Sequence, residues 1–165
     1  MSNTELSSWD DLDCDINLLR GIYAYGFENP STIQKRAIIP FLNGRDIIAQ
    51  AQSGTGKTGC FVIGSLIRVD PAIKKTQVLI ISPTRELSIQ TKGVVDTIGR
   101  NIDGLTSKLL VGGSSVDADI RDMRASTPHF VIGCPGRIHD MLRRRAMHAD
   151  DLKMIIFDEA DELLS

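Results

Sequence analysis

Cysteine is scarce: Cys14, Cys60 and Cys134 are odd in number, far apart and without a C-x-x-C spacing. That excludes a disulfide framework and a zinc knuckle, and it fits a reducing compartment. No apolar stretch approaches the roughly 20 residues that a helix needs to cross a bilayer. The opening Met1-Ser2-Asn3-Thr4-Glu5 is polar and acidic and shows no secretory or mitochondrial targeting pattern. There is no internal repeat and no low-complexity segment. An excess of one charge is absent too, since 19 Lys and Arg against 21 Asp and Glu leave a net charge of −2. Such a chain exerts no global pull on a polyanion, so any nucleic-acid binding must rest on a local basic path or on backbone donors. The expectation is a soluble intracellular protein.

What is there is one domain's worth of chain, 165 residues, long enough to bury a core. Short apolar runs alternate with helix-length amphipathic stretches. The pattern predicts strands at Asp46–Ala49, Val78–Ile81, Lys108–Val111, Phe130–Ile132 and Met154–Phe157. Helices are predicted near Asn17–Tyr25, Thr32–Leu42, Gly56–Arg68, Glu86–Ile98, Val116–Arg124 and Arg137–Arg145. Ile-, Val- and Leu-rich strands without in/out alternation imply burial on both faces. The fold class is therefore α/β, a doubly wound parallel sheet flanked by helices, with ligands at the carboxyl ends of the strands. After Asp161 only four residues remain, too few for the crossover that another parallel strand requires. The sheet is expected to be incomplete at the C-terminal end.

Each predicted strand runs into an unusual segment. The first leads to Ala51-Gln52-Ser53-Gly54-Thr55-Gly56-Lys57-Thr58, a phosphate loop in which Ala51 replaces the usual leading glycine. Its glycines let backbone N–H groups curl around phosphates, and the following helix N-terminus adds a favourable dipole. Lys57 is placed to reach the β- and γ-phosphates and Thr58 to offer its hydroxyl to Mg²⁺. The last strand leads to Asp158-Glu159-Ala160-Asp161. An acidic pair after an apolar strand suits metal holding by Asp158 and orientation and deprotonation of an attacking water by Glu159. Catalytic roles thus fall on Lys57, Asp158 and Glu159, and the metal candidates are Thr58 and Asp158. Arg143-Arg144-Arg145, the only basic run, complements a helix C-terminus. His129, His139 and His148 have no metal or catalytic spacing and read as structural.

The acidic tetrapeptide, the phosphate loop and the upstream stretch Gly26-Phe27-Glu28-Asn29-Pro30-Ser31-Thr32-Ile33-Gln34 resemble the DEAD-box ATP-dependent RNA helicases. The likeness covers nearly the whole chain. Within the family, Leu18–Phe27 and Arg36-Ala37-Ile38 are most similar to the initiation-factor-4A branch, and the exon-junction and ribosome-biogenesis branches share much of the pattern. The resemblance implies a RecA-like fold of the phosphate-loop NTPase type, with residues 1–25 as an extension and first helix. It makes residues 26–165 a first helicase domain, truncated after the acidic tetrapeptide and lacking the second RecA-like domain.

It further implies that Gln34 reads the adenine edge, for which a carboxamide has the matching donor and acceptor. Phe27 would supply an apolar face for the base. Trp9 stands where the family usually has Phe. Pro83-Thr84-Arg85, Gly112-Gly113 and Pro135-Gly136-Arg137 resemble the segments that hold an RNA backbone, through side-chain donors, close-approaching amides and a helix N-terminus. None of these groups is suited to reading bases, so RNA binding would be independent of sequence. Two departures fall here: Cys134 replaces a Thr, with loss of a hydroxyl donor, and Ser88 replaces an Ala.

The expectation is therefore an ATP- and Mg²⁺-dependent helicase domain that clamps RNA together with a second domain and has little turnover alone. A monomer is expected, with a helical-repeat scaffold of translation initiation as partner. The cytoplasm is the expected location, or the nucleus for the splicing-linked and ribosome-assembly branches. The rival readings are another phosphate-loop NTPase, such as a DNA helicase or a motor, against which Gln34 with Phe27 ties the site to adenine, and a non-enzymatic scaffold-binding module.

Overall fold

Four-residue runs, most of them rich in Ile, Val or Leu, form the strands β1 (Ile47–Gln50), β2 (Val78–Ile81), β3 (Ser107–Leu110), β4 (Phe130–Gly133) and β5 (Met154–Phe157). The computed structural model describes residues 8–27, 29–38, 47–50 and 57–158, and at 32, 33, 37, 47–50 and 57 the backbone alone. All ladders are parallel, in the order β1-β5-β2-β4-β3. The strand β5, which runs into Asp158, thus lies between β1 and β2. The helices are α1 (Ile16–Tyr25), α2 (Thr32–Ala37), α3 (Lys57–Arg68), α4 (Arg85–Ile98), α5 (Val116–Ala125) and α6 (Pro135–Arg143).

The central strands β2 and β4 are buried on both faces, as parallel sheets favour. Val78 and Ile80 of β2 enter one core with Val62, Ile63, Val95, Ile98, Phe130 and Ile132. Leu79, between them, enters the other with Leu110, Met123, Val131, Ile138 and Met141. Residues 8–25 share the first core through Trp9, Leu12, Leu18 and Ile22. Trp9 sits in a short 3₁₀ turn, Trp9–Asp11, closed by a reciprocal cap between Ser8 and Asp11. Periodicity gave no sign of that turn.

Helix starts differ from expectation by one or two residues, for a local reason. Thr84 and Cys134 take the N-cap positions, so α4 begins at Arg85 and α6 at Pro135. Pro suits the first helical position because its missing N–H has no partner there anyway. The predicted Thr32–Leu42 helix is seen to Ala37, and 39–46 lie outside the described residues. Among the described residues no helix is long and apolar enough to cross a membrane.

The two ends of the sheet are built differently. At the amino end, buried side chains close the turns. Gln77 accepts from the Asp70 N–H and donates to the Asp70 and Ile73 carbonyls. The His129 ring accepts from the Thr106 N–H at Nδ1 and meets the Pro71 carbonyl at Nε2, 2.9 Å away. At the carboxyl end the backbone ladder continues one residue past the strands: Ser82 N–H to Gly133, Cys134 N–H to Leu110 and Asp158 N–H to Ile81. Residues just beyond the strands are therefore held by sheet hydrogen bonds.

Candidate nucleotide and metal site

Asp158 follows β5 directly and is 6% exposed. A carboxylate so enclosed needs donors. The Thr91 hydroxyl donates to its Oδ2 at 2.9 Å, and the Ser82 hydroxyl lies 3.5 Å from the same oxygen. Ser82 and Thr91 were not singled out by sequence. The available signal was a polar residue within the buried stripe Ser88, Thr91, Val95 and Ile98 of α4.

Thr58 stands in the first turn of α3 and lines the same surface cavity as Asp158, about 510 Å³ in volume, together with Tyr25, Leu87, Thr91 and Val94. The 12-residue α3 opens at Lys57, so its N-terminal amides and dipole favour an anion beside these oxygens. A carboxylate and a hydroxyl suit a hard cation such as Mg²⁺, which takes one or two protein oxygens and completes its shell with water and phosphate. The donor set fits that ion. Ala51, Gln52, Ser53, Gly54, Thr55, Gly56 and Glu159 lie outside the described residues, and of Lys57 only the backbone is described.

Gln34 is 4% exposed and already serves the fold. Its Oε1 accepts from the Ser31 N–H at 2.9 Å, while its own N–H donates to the Ser31 hydroxyl at 3.1 Å. This reciprocal capping box fixes the first turn of α2. An amide oxygen has two lone pairs, so one bond to Ser31 leaves the group chemically able to accept a second.

Phe27 packs against α3 rather than standing open. A Cβ built on Gly59 would sit 2.5 Å from the Phe27 ring, so any larger residue there forces the ring or the helix to shift. The ring also lies 4.9 Å from that of Tyr25 and 6.4 Å from that of Trp9, centroid to centroid. Gly59 ties α3 to the aromatic cluster, and the phosphate-loop pattern, which ends at Thr58, did not flag it.

The three segments expected to hold an RNA backbone lie at the same carboxyl edge. Thr84 is exposed and caps α4 by accepting from the Leu87 N–H at 3.2 Å, and Pro83 precedes it half-buried. The exposed Arg85 brings its guanidinium 3.2 Å from where a Gly113 Cβ would be, and Gly113 has φ +92°, a conformation that favours glycine. Gly112, Pro135 and Gly136 are exposed.

Arg137 differs. Its side chain is 8% exposed and forms an ion pair with Asp119, itself 6% exposed. It also donates to the Ser114 hydroxyl at 3.2 Å and the Ser114 carbonyl at 2.9 Å. Lys108 joins Asp119 at 3.2 Å and Asp122 at 2.8 Å. Arg137 thus locks α6, α5 and the loop after β3 into one unit.

Ser88 and Cys134, the two departures from the pattern, are neighbours with oxygen and sulfur 3.7 Å apart. Burial pushes the Cys60 thiol up to about 12. Burial, with Asp15 and Asp13 nearby, pushes Cys14 to about 11. Both thiols are therefore protonated, and poor nucleophiles, at neutral pH. Arg143 and Arg144 pair with Asp140 at the end of α6. A second cavity of about 480 Å³ lies at the amino end of the strands, lined by Lys75, Arg124, Arg145 and His148 among others, and holds none of the motif residues.

Comparison with known proteins is consistent across three routes. Residues 31–165 match the DEAD/DEAH box helicase family. Over 160 residues the chain is 52% identical to an ATP-dependent RNA helicase eIF4A of Yarrowia lipolytica, covering 97% of this chain and 40% of that protein. It is 51% identical over 158 residues to the protein of that name from Emericella nidulans, covering 96% and 39%. Among solved structures, S. cerevisiae Dbp5 bound to RNA and ADP BeF3 superposes with a TM-score of 0.79 at 37% identity, over 97% of this chain and 40% of that one. A DEAD box protein from Methanococcus jannaschii gives 0.85 at 32% identity, over 97% and 43%. The chain spans about 40% of the length of the curated relatives it matches.

Proposed function

Because the chain belongs to the DEAD/DEAH box helicase family, we propose that it is the ATP-binding RecA-like domain of an ATP-dependent RNA helicase of the initiation-factor-4A type. The observation that carries this reading is the shared cavity of Thr58 and Asp158 at the N-terminus of α3. In this reading the phosphate loop and the first amides of α3 hold the triphosphate, and Lys57 reaches its β- and γ-phosphates. Thr58 and Asp158 hold Mg²⁺, which when bound neutralises charge on the phosphates. Glu159 orients the attacking water and takes its proton. Gln34 and Phe27 favour adenine.

RNA lies along the exposed Thr84, Arg85, Gly112, Gly113, Pro135 and Gly136, held by its phosphates and without base reading. Arg137, whose side chain is nearly buried, shapes this path through Ser114. A preference for RNA over DNA comes from 2′-hydroxyl contacts. In the whole protein a second RecA-like domain adds arginines at the γ-phosphate, which for comparable groups raise the rate by about 10³–10⁵. The protein acts as a monomer in the cytoplasm, with a helical-repeat scaffold of translation initiation as partner.

The test is ATP hydrolysis by the full-length protein with and without single-stranded RNA of two unrelated sequences. Expected is stimulation by both RNAs, lost in Glu159→Gln while nucleotide binding survives. Hydrolysis indifferent to RNA would remove the helicase reading, and hydrolysis retained in Glu159→Gln would remove Glu159 from its role.

A further inference from the structure

We propose that the Thr91 hydroxyl sets the orientation of the Asp158 carboxylate, making Thr91 a positioning residue of the metal site. The proposal rests on the reading of Asp158 as a Mg²⁺ ligand. Thr91 and Asp158 are 67 residues apart in sequence, yet their oxygens are 2.9 Å apart in a buried setting. Thr91 is 3% exposed and lies among Ser88, Val95 and Ile98 on the inner face of α4. A hydroxyl on such a face is costly without a partner, and its partner here is the candidate metal ligand.

The Asp158 backbone is fixed by its N–H bond to Ile81, which leaves only the two side-chain torsions to be set. Thr91 suits that task because a β-branched side chain is stiff at its first torsion. Ser82, at 3.5 Å from the same Oδ2, is at the outer limit of a hydrogen bond. Of these two hydroxyls, Thr91 is therefore the closer donor to Oδ2. Both threonine and aspartate line the cavity that Thr58 enters, so the torsions that Thr91 fixes decide how the carboxylate faces that cavity. Groups that hold a ligating carboxylate in this way commonly change metal affinity by about 10–100-fold when removed.

The test uses the full chain with ADP, and Mn²⁺ as the metal probe, read by electron paramagnetic resonance. Thr91→Val keeps the shape and removes the hydroxyl; Thr91→Ser restores it. Expected is Mn²⁺ affinity in the ADP complex about tenfold weaker in Thr91→Val, recovery in Thr91→Ser, and unchanged ADP affinity in EDTA. Wild-type Mn²⁺ affinity in Thr91→Val would overturn the proposal, as would an equal loss of metal-free ADP affinity, which marks a purely structural role. Should Thr91→Val fail to fold, Thr91→Ala is read by the same outcomes. Asp158→Asn separates the two levels. If it weakens Mn²⁺ and Thr91→Val does not, the positioning role alone falls; if it too binds Mn²⁺ normally, the metal reading falls with it.

Discussion

The Ser88 hydroxyl lies 3.7 Å from the Cys134 sulfur, so the two positions that depart from the helicase pattern at the carboxyl edge form a contact with each other. Cys134 is the N-cap of α6 in extended conformation, but its side chain makes no capping hydrogen bond. A threonine there can accept from the helix amides at Gly136 or Arg137. Cys134→Thr should therefore raise stability by about 0.5–1 kcal/mol, the usual value of a side-chain cap, measured by urea unfolding. No gain would mean that the contact with Ser88 keeps the side chain away from the helix end.

Phe27 and Gly59 make a second sharp pairing. A Gly59→Ala methyl would stand 2.5 Å from the ring, so the ring must move or the helix must shift. Overpacking of this kind costs about 1–3 kcal/mol. Thermal unfolding of Gly59→Ala, Phe27→Leu and the double variant gives the coupling. Expected is a double variant more stable than Gly59→Ala alone; simple additivity would contradict the contact.

Two arginines of the carboxyl edge should separate cleanly. Arg137→Ala leaves Asp119 buried with Lys108 as its remaining cation. Breaking a buried pair from one side costs about 3–5 kcal/mol, and the surviving Lys108 places the loss near the lower end. Arg85 is exposed, so Arg85→Ala should leave stability within about 0.5 kcal/mol of the parent. Its effect should instead appear as weaker RNA binding and a salt dependence shallower by nearly one unit of slope. The opposite assignment, with Arg137 neutral to folding, would dissolve the network around Ser114.

His129 gives the fold a pH dependence of known sign. Burial holds its imidazole below the ordinary value of 6.5, outweighing the Pro71 carbonyl that favours the charged ring. Below 6.5 the unfolded chain then binds more protons than the folded one, so this contribution to stability is complete above that pH and is lost as pH falls through it. Urea midpoints from pH 8 to pH 5 should decline over that range in the parent and decline less in His129→Gln. Identical slopes would assign the decline to other groups.

The strands and the order of chemistry-bearing segments were legible because period and turn chemistry are local properties. All five strands lie within one or two residues of the expected runs, and Asp158 directly follows an apolar strand, as the pattern required. What was hidden depends on partners remote in sequence. Nothing near Thr91 announces Asp158, because only the packing of α4 on the sheet brings them together. Arg137 looked like a phosphate donor because its motif gives residue type, whereas its pairing with Asp119 is decided by how α5 and α6 dock. The Ser31–Gln34 capping box was legible as a serine followed three residues later by glutamine. Gly59 adjoins the phosphate loop, and the position of Phe27 explains why a larger residue there is costly.

The most direct measurement is competition of ATP and GTP for the full chain in the presence of Mg²⁺, with the parent and Gln34→Ala side by side. A Thr58–Asp158 site with Gln34 at its base end should prefer ATP, and Gln34→Ala should erase most of that preference, about 1–3 kcal/mol for a bidentate amide–adenine pair. Equal affinity for the two nucleotides in the parent would contradict the adenine-specific site at the carboxyl edge.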